Sequence, residues 1–426
     1  MRRFNRGHER LARCGGMQKL KNASETTKPR VALFEAVHPV AATILQEHGF
    51  TVDSMNHSPS AQELADLAKT STLIGVRSKT KLSAQLLRAS PELTAIGCFC
   101  IGTDQVDASA AALGIPIFNA PFSNTRSVAE MTLAEIICLS RALFQKSSQL
   151  HVGRWDKSSK NSREVRGRTL GIIGYGHIGS QLSVLAESLG MRVVYFDTAR
   201  KLALGNAQSL PTLDAVLATA DFVSLHVPDI VSTRGLIGAA QLKQMKPGAM
   251  LVNNSRGKVV DLVALAAALK SGHVGGAAVD VFPEEPAENG AGFSTPLAGL
   301  PNVILTPHIG GSTEEAQEAI AVDVAEKLAR FWTQGGTAAS VNFPQVDLPN
   351  MRSGQVRILH VHQNVPGVLS KMHTLLAQAG VNINAEHLQS DQNTSYVILD
   401  VDAFQDTNIM NSLRTLPETI RMRVAG

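Results

Sequence analysis

The chain has 426 residues, too many for one ordinary core, and with 44% apolar and 18% charged residues its composition is globular rather than disordered. No uninterrupted apolar run reaches the ~18 residues of a membrane span, since even Val128 to Phe144 carries Glu130, Glu135 and Arg141. The formal charge of +4 is local: residues 1–30 hold nine Lys or Arg and two acids, leaving 31 basic against 34 acidic residues elsewhere, so the body of the chain offers no nucleic-acid surface.

Residues 1–27 read as a basic extension without an apolar core: a disordered arm, a weak targeting segment, or non-native sequence upstream of the true start, for which Met17 offers an alternative. Short apolar runs then alternate with helical patterns, the mark of parallel βαβ units. VALFE (31–35), TLIGV (72–76), LTAIG (93–97) and IPIFN (115–119) are predicted strands, with helices near 39–48, 60–69, 83–89 and 107–113. Cys98 and Cys100 fall on one strand face; four cysteines in so long a chain make no disulfide framework, two are too few for a metal site, and no metal is expected. From Ser127 the spacing of Val128, Met131, Leu133, Ile136, Ile137, Leu143 and Phe144 predicts one long helix bridging two domains.

A second series begins at Thr169. TLGIIG (169–174), RVVYFD (192–197), DFVSLHV (221–227), AMLVNNS (249–255), GAAVDV (276–281) and NVILTPH (302–308) are six strands alternating with helices, as in a full dinucleotide-binding sheet. A helix from Ser312 to Phe331 is expected to return and pack on the first domain, and Gly335-Gly336 and Pro344 punctuate a linker. Beyond Ser353 the order is strand (355–361), helix (367–379), strand (381–389), strand (395–401), helix (406–415), strand (419–424), a ferredoxin-like βαββαβ pattern. The expected fold class is α/β: two doubly wound parallel-sheet domains, 28–123 with 311–350 and 124–310, followed by a ferredoxin-like α+β domain at 353–426.

GIIGYGHIGS sets Gly174, Gly176 and Gly179 in the spacing G-x-G-x-x-G, directly after a strand and opening a helix. The first glycine permits a tight turn, the second lets backbone approach a pyrophosphate, and the third allows close helix–strand packing. Asp197 ends the next strand, where a carboxylate accepts from ribose hydroxyls and repels a 2′-phosphate. NAD is therefore favoured over NADP, with Arg200 and Lys201 as the residues that would argue otherwise. Ligands of open α/β sheets bind beyond the carboxyl ends of the strands, which collects Tyr175, His177, Ile178, Asp197, His226, Pro228, Ser255, Arg256, Asp280 and His308 along one edge. Removing hydride from a secondary alcohol requires a base for the hydroxyl proton and a cation near the oxygen. His308 can be the base, an acid of PEEP (283–286) can orient its imidazole, and Arg256 can hold a carboxylate.

GCFCIGTDQVD, FNAPFSNTRSVAE, LGIIGYGHIG, NNSRGKVVD, DVFPEEP and LTPHIGGST resemble segments of the D-2-hydroxyacid dehydrogenase superfamily, in the branch that oxidises D-3-phosphoglycerate and carries a C-terminal ACT domain. The resemblance runs from about Lys28 to the C-terminus. It implies Arg256, Glu285 and His308 as a catalytic trio, with Glu285 rather than Glu284 pairing with His308. It implies cofactor contacts at Val227, Asn254 and Gly310 beside those above, and substrate contacts at Arg77, Ser78, Lys79, Gly102 and Asn124. Trp155 and Lys157 are implied substrate contacts as well, reaching a neighbouring subunit. Arg77, Ser78 and Lys79 also follow a strand and precede a helix near Ser83, an anion site by charge alone. Lys79 stands where the family often has arginine, and His57-Ser58-Pro59 where it has lysine, and both departures bear on affinity and side-substrate range. In the last domain His360 and His362 share a strand face, and the resemblance implies that His362, Asn364 and Asn382 bind L-serine across a domain–domain interface. The implied activity is NAD-dependent oxidation of 3-phosphoglycerate to 3-phosphohydroxypyruvate, the first step of serine synthesis, by a cytoplasmic homotetramer under serine feedback. Another hydroxyacid, 2-oxoglutarate included, and an NADH-sensing corepressor are the alternatives; an intact trio and an effector-type domain stand against the corepressor.

Overall fold

The computed structural model describes residues 28–286, 289–404 and 408–425, so the basic extension at 1–27 lies outside the described residues. The chain divides into two compact units, one taking it up to Asn119 and again from Val324, the other Ala120–Asp323.

In the first unit β1 (Arg30–Leu33), β2 (Thr51–Ser54), β3 (Leu73–Val76), β4 (Ala95–Cys98) and β5 (Ile117–Asn119) form a parallel sheet in the order β2-β1-β3-β4-β5, a doubly wound arrangement of flavodoxin type. β2 adds to the predicted strands: TVDS is a half-exposed edge strand with one apolar residue, Val52, and has no alternation to read. Helices α1 (Val40–Glu47), α2 (Ala61–Thr70) and α3 (Ala84–Arg88) cover the sheet. Ser60 and Glu63 start α2 with a capping box and Ser83 caps α3, both through hydroxyls that accept otherwise unpaired amides. The helix predicted at 107–113 shrinks to a 3-10 turn, Ala108–Ala110, opened by Asp107; Gly114 at φ +69° ends the segment before β5.

The second unit opens with α4 (Thr125–Arg141) and α5 (Leu143–His151), which replace the single long helix predicted from Ser127. Ala142 lies in the left-handed region at φ +48° and breaks them apart. An alanine there costs roughly 1–2 kcal/mol, and no glycine announces the break. α5 and the loop after it leave Phe144, Leu150, Val152 and Trp155 exposed. The sheet consists of β6 (Thr169–Ile173), β7 (Arg192–Phe196), β8 (Gln208–Ser209), β9 (Phe222–Leu225), β10 (Ala249–Asn253), β11 (Val274–Val279) and β12 (Val303–Leu305), ordered β12-β11-β10-β9-β6-β7-β8. Seven strands stand where six were predicted, because β8 is only two exposed residues long. Every residue of β6, β9 and β10 is buried, as expected where α6 (His177–Ser188), α7 (Leu213–Thr219), α8 (Ala239–Gln244) and α9 (Leu262–Lys270) cover both faces. The strand order reverses at β6, so the turn leaving β6 sits at the switch point where such sheets bind ligands.

α10 (Glu314–Gln334) follows. Its second half belongs to the first unit: Val324 and Leu328 pack so closely on β4 that a Cβ on Gly97 would lie 2.8 Å from each. The last domain runs β13 (Gln355–Gln363), α11 (Val368–Gln378), β14 (Ile383–Ser390), β15 (Thr394–Asp402), α12 (Asn408–Arg414) and β16 (Thr419–Val424), antiparallel in the order β14-β15-β13-β16. It is fastened within the first unit rather than trailing from a linker. The final carbonyls of a helix have no intrahelical partner, and here this domain supplies them. Arg423 donates to Trp332 O at 2.8 Å and to Phe331 O while lying 4.8 Å over the Trp332 ring and 4.7 Å over the Phe331 ring. Arg357, 1% exposed, clasps Asp400 through two bonds of 2.6 and 2.7 Å and donates to Gln334 O and Pro349 O. The Tyr396 hydroxyl reaches Gly335 O at 2.7 Å. The Arg357 guanidinium is buried with all three of its nitrogens engaged, which is what makes such burial tolerable.

Candidate active site

The turn after β6 shows why three glycines are needed. Gly174 sits at φ +91°, and a Cβ there would lie 2.3 Å from His226 O; a Cβ on Gly179 would lie 2.3 Å from Gly174 O. Packing alone forces both. A Cβ on Gly176 would meet nothing within 4 Å, so open space lies directly over the backbone that begins α6. This is the cradle a dinucleotide pyrophosphate requires, beside amides at a helix N-terminus. Asp197 closes the turn, its two carboxylate oxygens accepting the amides of Tyr175 and Ala199 at 2.8 Å each. The Tyr175 ring stacks on Tyr195 and its hydroxyl meets Ser183, so this residue joins the core and presents only backbone to the cradle. The His177 ring lies against Phe122 with centroids 3.8 Å apart. His226 bonds Ser224 through Nε2 at 2.8 Å, while its buried Nδ1 has no hydrogen-bond partner among the described residues; burial pushes its pKa down to about 4, so the ring is neutral.

Four strand ends to one side deliver the ionisable groups. At the end of β10 the fully buried Asn253 folds the next turn: its Oδ1 accepts from the amide and hydroxyl of Ser255, and its Nδ2 donates to Arg256 O. Arg256 itself is in extended conformation and donates through Nη1 to Ser255 O at 2.8 Å. At the end of β11 the Asp280 carboxylate accepts from Thr306 Oγ1 at 2.6 Å and from the amides of Ile309 and Gly310 at 2.9 and 2.8 Å. These bonds hold the loop that carries His308 at φ +55°. Left-handed backbone at a histidine persists only where its surroundings over-determine it, and the His308 amide bonded to Asp280 O at 2.8 Å completes that hold.

The His308 Nδ1–H donates to Glu285 Oε2 at 2.8 Å, and the other Glu285 oxygen accepts the Phe282 amide at 3.0 Å. Of the two adjacent acids, Glu285 is the one paired. Its hydrogen bond raises the His308 pKa above the usual histidine value against the opposing pull of burial, with Asp280 adding to the rise and Arg256 opposing it. Burial raises the Glu285 pKa, but the bonds from His308 and Phe282 outweigh it and hold the carboxyl below its ordinary range. Nδ1 is thus committed to a carboxylate and Nε2 is left as the nitrogen that exchanges protons. Asn124, at the start of α4, is buried and packs so tightly on Gly311 that a Cβ there would lie 2.1 Å from its Nδ2. Val227 abuts Gly174, Pro228 is exposed, and Ile178 packs on the core under the cradle.

In the first unit Arg77, Ser78 and Lys79 follow β3. The loop is organised by two residues that sequence reasoning passed over. Glu35, buried and at φ +67°, accepts the amides of Lys79 and Thr80 at 3.0 and 2.7 Å, while Arg77 donates to Glu35 O. Gln105 donates to Arg77 O at 2.6 Å and to Gly102 O. Glu35 was findable, since it is the acid that ends the predicted strand VALFE, as Asp197 ends RVVYFD. In the last domain His360 and His362 meet at 3.2 Å between Nδ1 atoms, and burial pushes the His360 pKa down to about 4. Asn364 donates to Asp391 O and Asn382 to Asn384. Trp155 and Lys157 are both exposed.

A site that cradles a dinucleotide, exchanges one proton and holds an anion is equipped to interconvert a 2-hydroxy acid and its keto acid. Comparison with known proteins agrees. The family described as "D-isomer specific 2-hydroxyacid dehydrogenase, NAD binding domain" matches residues 133–310, and "AHAS small subunit-like ACT domain" matches 358–421. The D-3-phosphoglycerate dehydrogenase of Haemophilus influenzae is 49% identical over 406 residues, covering 95% of this chain and 99% of that protein. That of Dictyostelium discoideum is 48% identical over 398 residues, covering 93% and 97%. Among solved structures, D-lactate dehydrogenase from Aquifex aeolicus, complexed with NAD and lactic acid, aligns with TM-score 0.62 and 29% identity over 70% of this chain and 95% of its own. The chain belongs to the D-3-phosphoglycerate dehydrogenase family, within the D-isomer specific 2-hydroxyacid dehydrogenases. It is an NAD-dependent oxidoreductase with a C-terminal ACT domain.

Proposed function

We propose that the chain oxidises 3-phospho-D-glycerate to 3-phosphohydroxypyruvate, committing it to serine synthesis. The observation that carries the chemistry is the 2.8 Å bond between His308 Nδ1 and Glu285 Oε2. NAD, when bound, supplies the hydride acceptor. His308 takes the C2 hydroxyl proton on Nε2, and Glu285 stabilises the resulting imidazolium. Arg256 holds the carboxylate and the developing carbonyl oxygen, in the two-pronged manner a guanidinium allows. Arg77, with Ser78 and Lys79, takes the phosphate. Replacing Arg77 with alanine removes a charge-assisted pair worth about 1.5–3 kcal/mol; the expected result is a KM for phosphohydroxypyruvate raised roughly 10- to 150-fold, with KM for NADH unchanged in the same steady-state assay.

L-serine is the proposed effector, held at His362, Asn364 and Asn382. A second copy is the proposed cover for Phe144, Leu150, Val152 and Trp155, an exposed apolar set larger than isolated surface residues explain, and a tetramer is the proposed assembly. We assign the chain to the cytoplasm, a reducing compartment that suits the free thiols of Cys98 and Cys138; among the described residues no helix is long and apolar enough to cross a membrane. The deciding experiment is reduction of phosphohydroxypyruvate by NADH, with and without L-serine, against a panel of unphosphorylated keto acids and 2-oxoglutarate. Preference for the phosphorylated acid supports the substrate assigned, and equal use of hydroxypyruvate overturns it. Insensitivity to serine overturns the effector.

A further inference from the structure

Glu135 is an acid buried where the chemistry already described does not use it. It lies on α4, 5% exposed. Its Oε2 accepts from Asn254 Nδ2 at 2.6 Å, and the same nitrogen lies 3.0 Å from Thr132 Oγ1, one turn earlier on the helix. Thr132 Oγ1 already donates to Val128 O, so it can only accept here, and both protons of the Asn254 amide are directed at α4. Asn254 is itself buried and stands two residues before Arg256, in the turn folded by Asn253. The remaining oxygens of the pair, Glu135 Oε1 and Asn254 Oδ1, are buried without a hydrogen-bond partner among the described residues. A buried acid retained at that cost, bonded to one residue of a functional turn, needs a reason.

We propose that Glu135 is a positioning residue for the dehydrogenase reaction: through Asn254 it ties the turn that presents Arg256 to α4, and so fixes where the guanidinium stands. The turn is held from two sides. Asn253 bonds it from within, while Glu135 and Thr132 anchor it to a helix that packs on β10 and β11. Burial pushes the Glu135 pKa up to about 7, against the Asn254 bond and with the Asp280 charge adding to the rise. Glutamine is therefore a close stand-in for the neutral form, keeping an acceptor for Asn254. Leucine keeps the volume and removes the acceptor, leaving one N–H of the buried Asn254 amide unpaired while the other still faces Thr132.

This inference rests on the site being a hydroxyacid dehydrogenase site, and one of its two readouts does not depend on the substrate. In the full-length protein, Glu135→Leu is expected to speed hydrogen exchange of the amides at 253–257 at least tenfold, and to raise KM for the keto acid about tenfold, while the NADH dissociation constant stays within twofold. Glu135→Gln is expected to restore both readouts to near wild type. Asn254→Ala reaches the same contact from the other side, and combined with Glu135→Leu it should add little beyond either change alone. If Glu135→Leu fails to fold, the Asn254→Ala comparison decides alone: wild-type exchange at 253–257 overturns the proposal. So does an unchanged KM in folded Glu135→Leu, or a Gln variant as impaired as the Leu variant. Faster exchange combined with no turnover of phosphohydroxypyruvate supports the positioning role and overturns only the substrate assignment.

Discussion

Replacing His308 with alanine is expected to lower kcat for keto-acid reduction about 10²- to 10⁴-fold, the scale of a positioned acid–base group, while NADH binding followed by fluorescence is unchanged. The Glu285 partner sets the pH at which that group works. The His308 pKa is raised above the ordinary value of about 6.5, first by the Glu285 hydrogen bond. Alcohol oxidation needs the neutral imidazole, so its kcat/KM rises with pH through that raised pKa. Reduction needs the imidazolium and fades as pH climbs through the same value. Glu285→Gln removes the carboxylate, and the limb of each profile is expected to move toward lower pH. Full turnover by the alanine variant, or an unmoved limb in the glutamine variant, contradicts the roles assigned to the pair.

Gly257→Ala is the second large effect. Gly257 follows Arg256, and a Cβ on it would lie 2.0 Å from the Phe282 carbonyl carbon, 2.1 Å from its oxygen and 2.5 Å from Pro283 N. Every one of those atoms is backbone and cannot swing aside. The collision falls where the turn bearing Arg256 touches the loop bearing Glu285, so relief requires the two to part by more than an ångström. A displacement of that size in a catalytic constellation costs on the order of 10²-fold, and we expect kcat/KM to fall by about that much. Since Gly174 and its neighbours are untouched, NADH affinity should change far less. An alanine variant with wild-type kcat/KM would mean that the two loops tolerate separation.

The elements that carried strong apolar periodicity were legible from residues alone, and those that did not were missed for identifiable reasons. β2 has one apolar residue and β8 is two residues long, so neither has a pattern. Ala142 ends α4 in a conformation its residue type does not advertise. At the site, the glycine spacing and the ionisable residues at strand ends could be read because they act where the chain leaves the sheet. Asn253 and Gln105 work on backbone groups of nearby turns, and nothing in composition marks which backbone groups a buried side chain will serve. Glu135 was visible only as a charge interrupting an apolar run. Its partner is 119 positions away, a separation no local pattern spans.

The grip of Arg357, Tyr396 and Arg423 on the last turn of α10 bears on how freely this architecture can be recombined. A terminal module joined by a loose tether can be lost or exchanged at little cost to its host. Here the host's helix terminus and two of its aromatic faces are finished by side chains encoded in the final seventy residues. Shortened relatives of such a chain would have to rewrite the end of that helix, so the terminal domain and the unit it completes are inherited together.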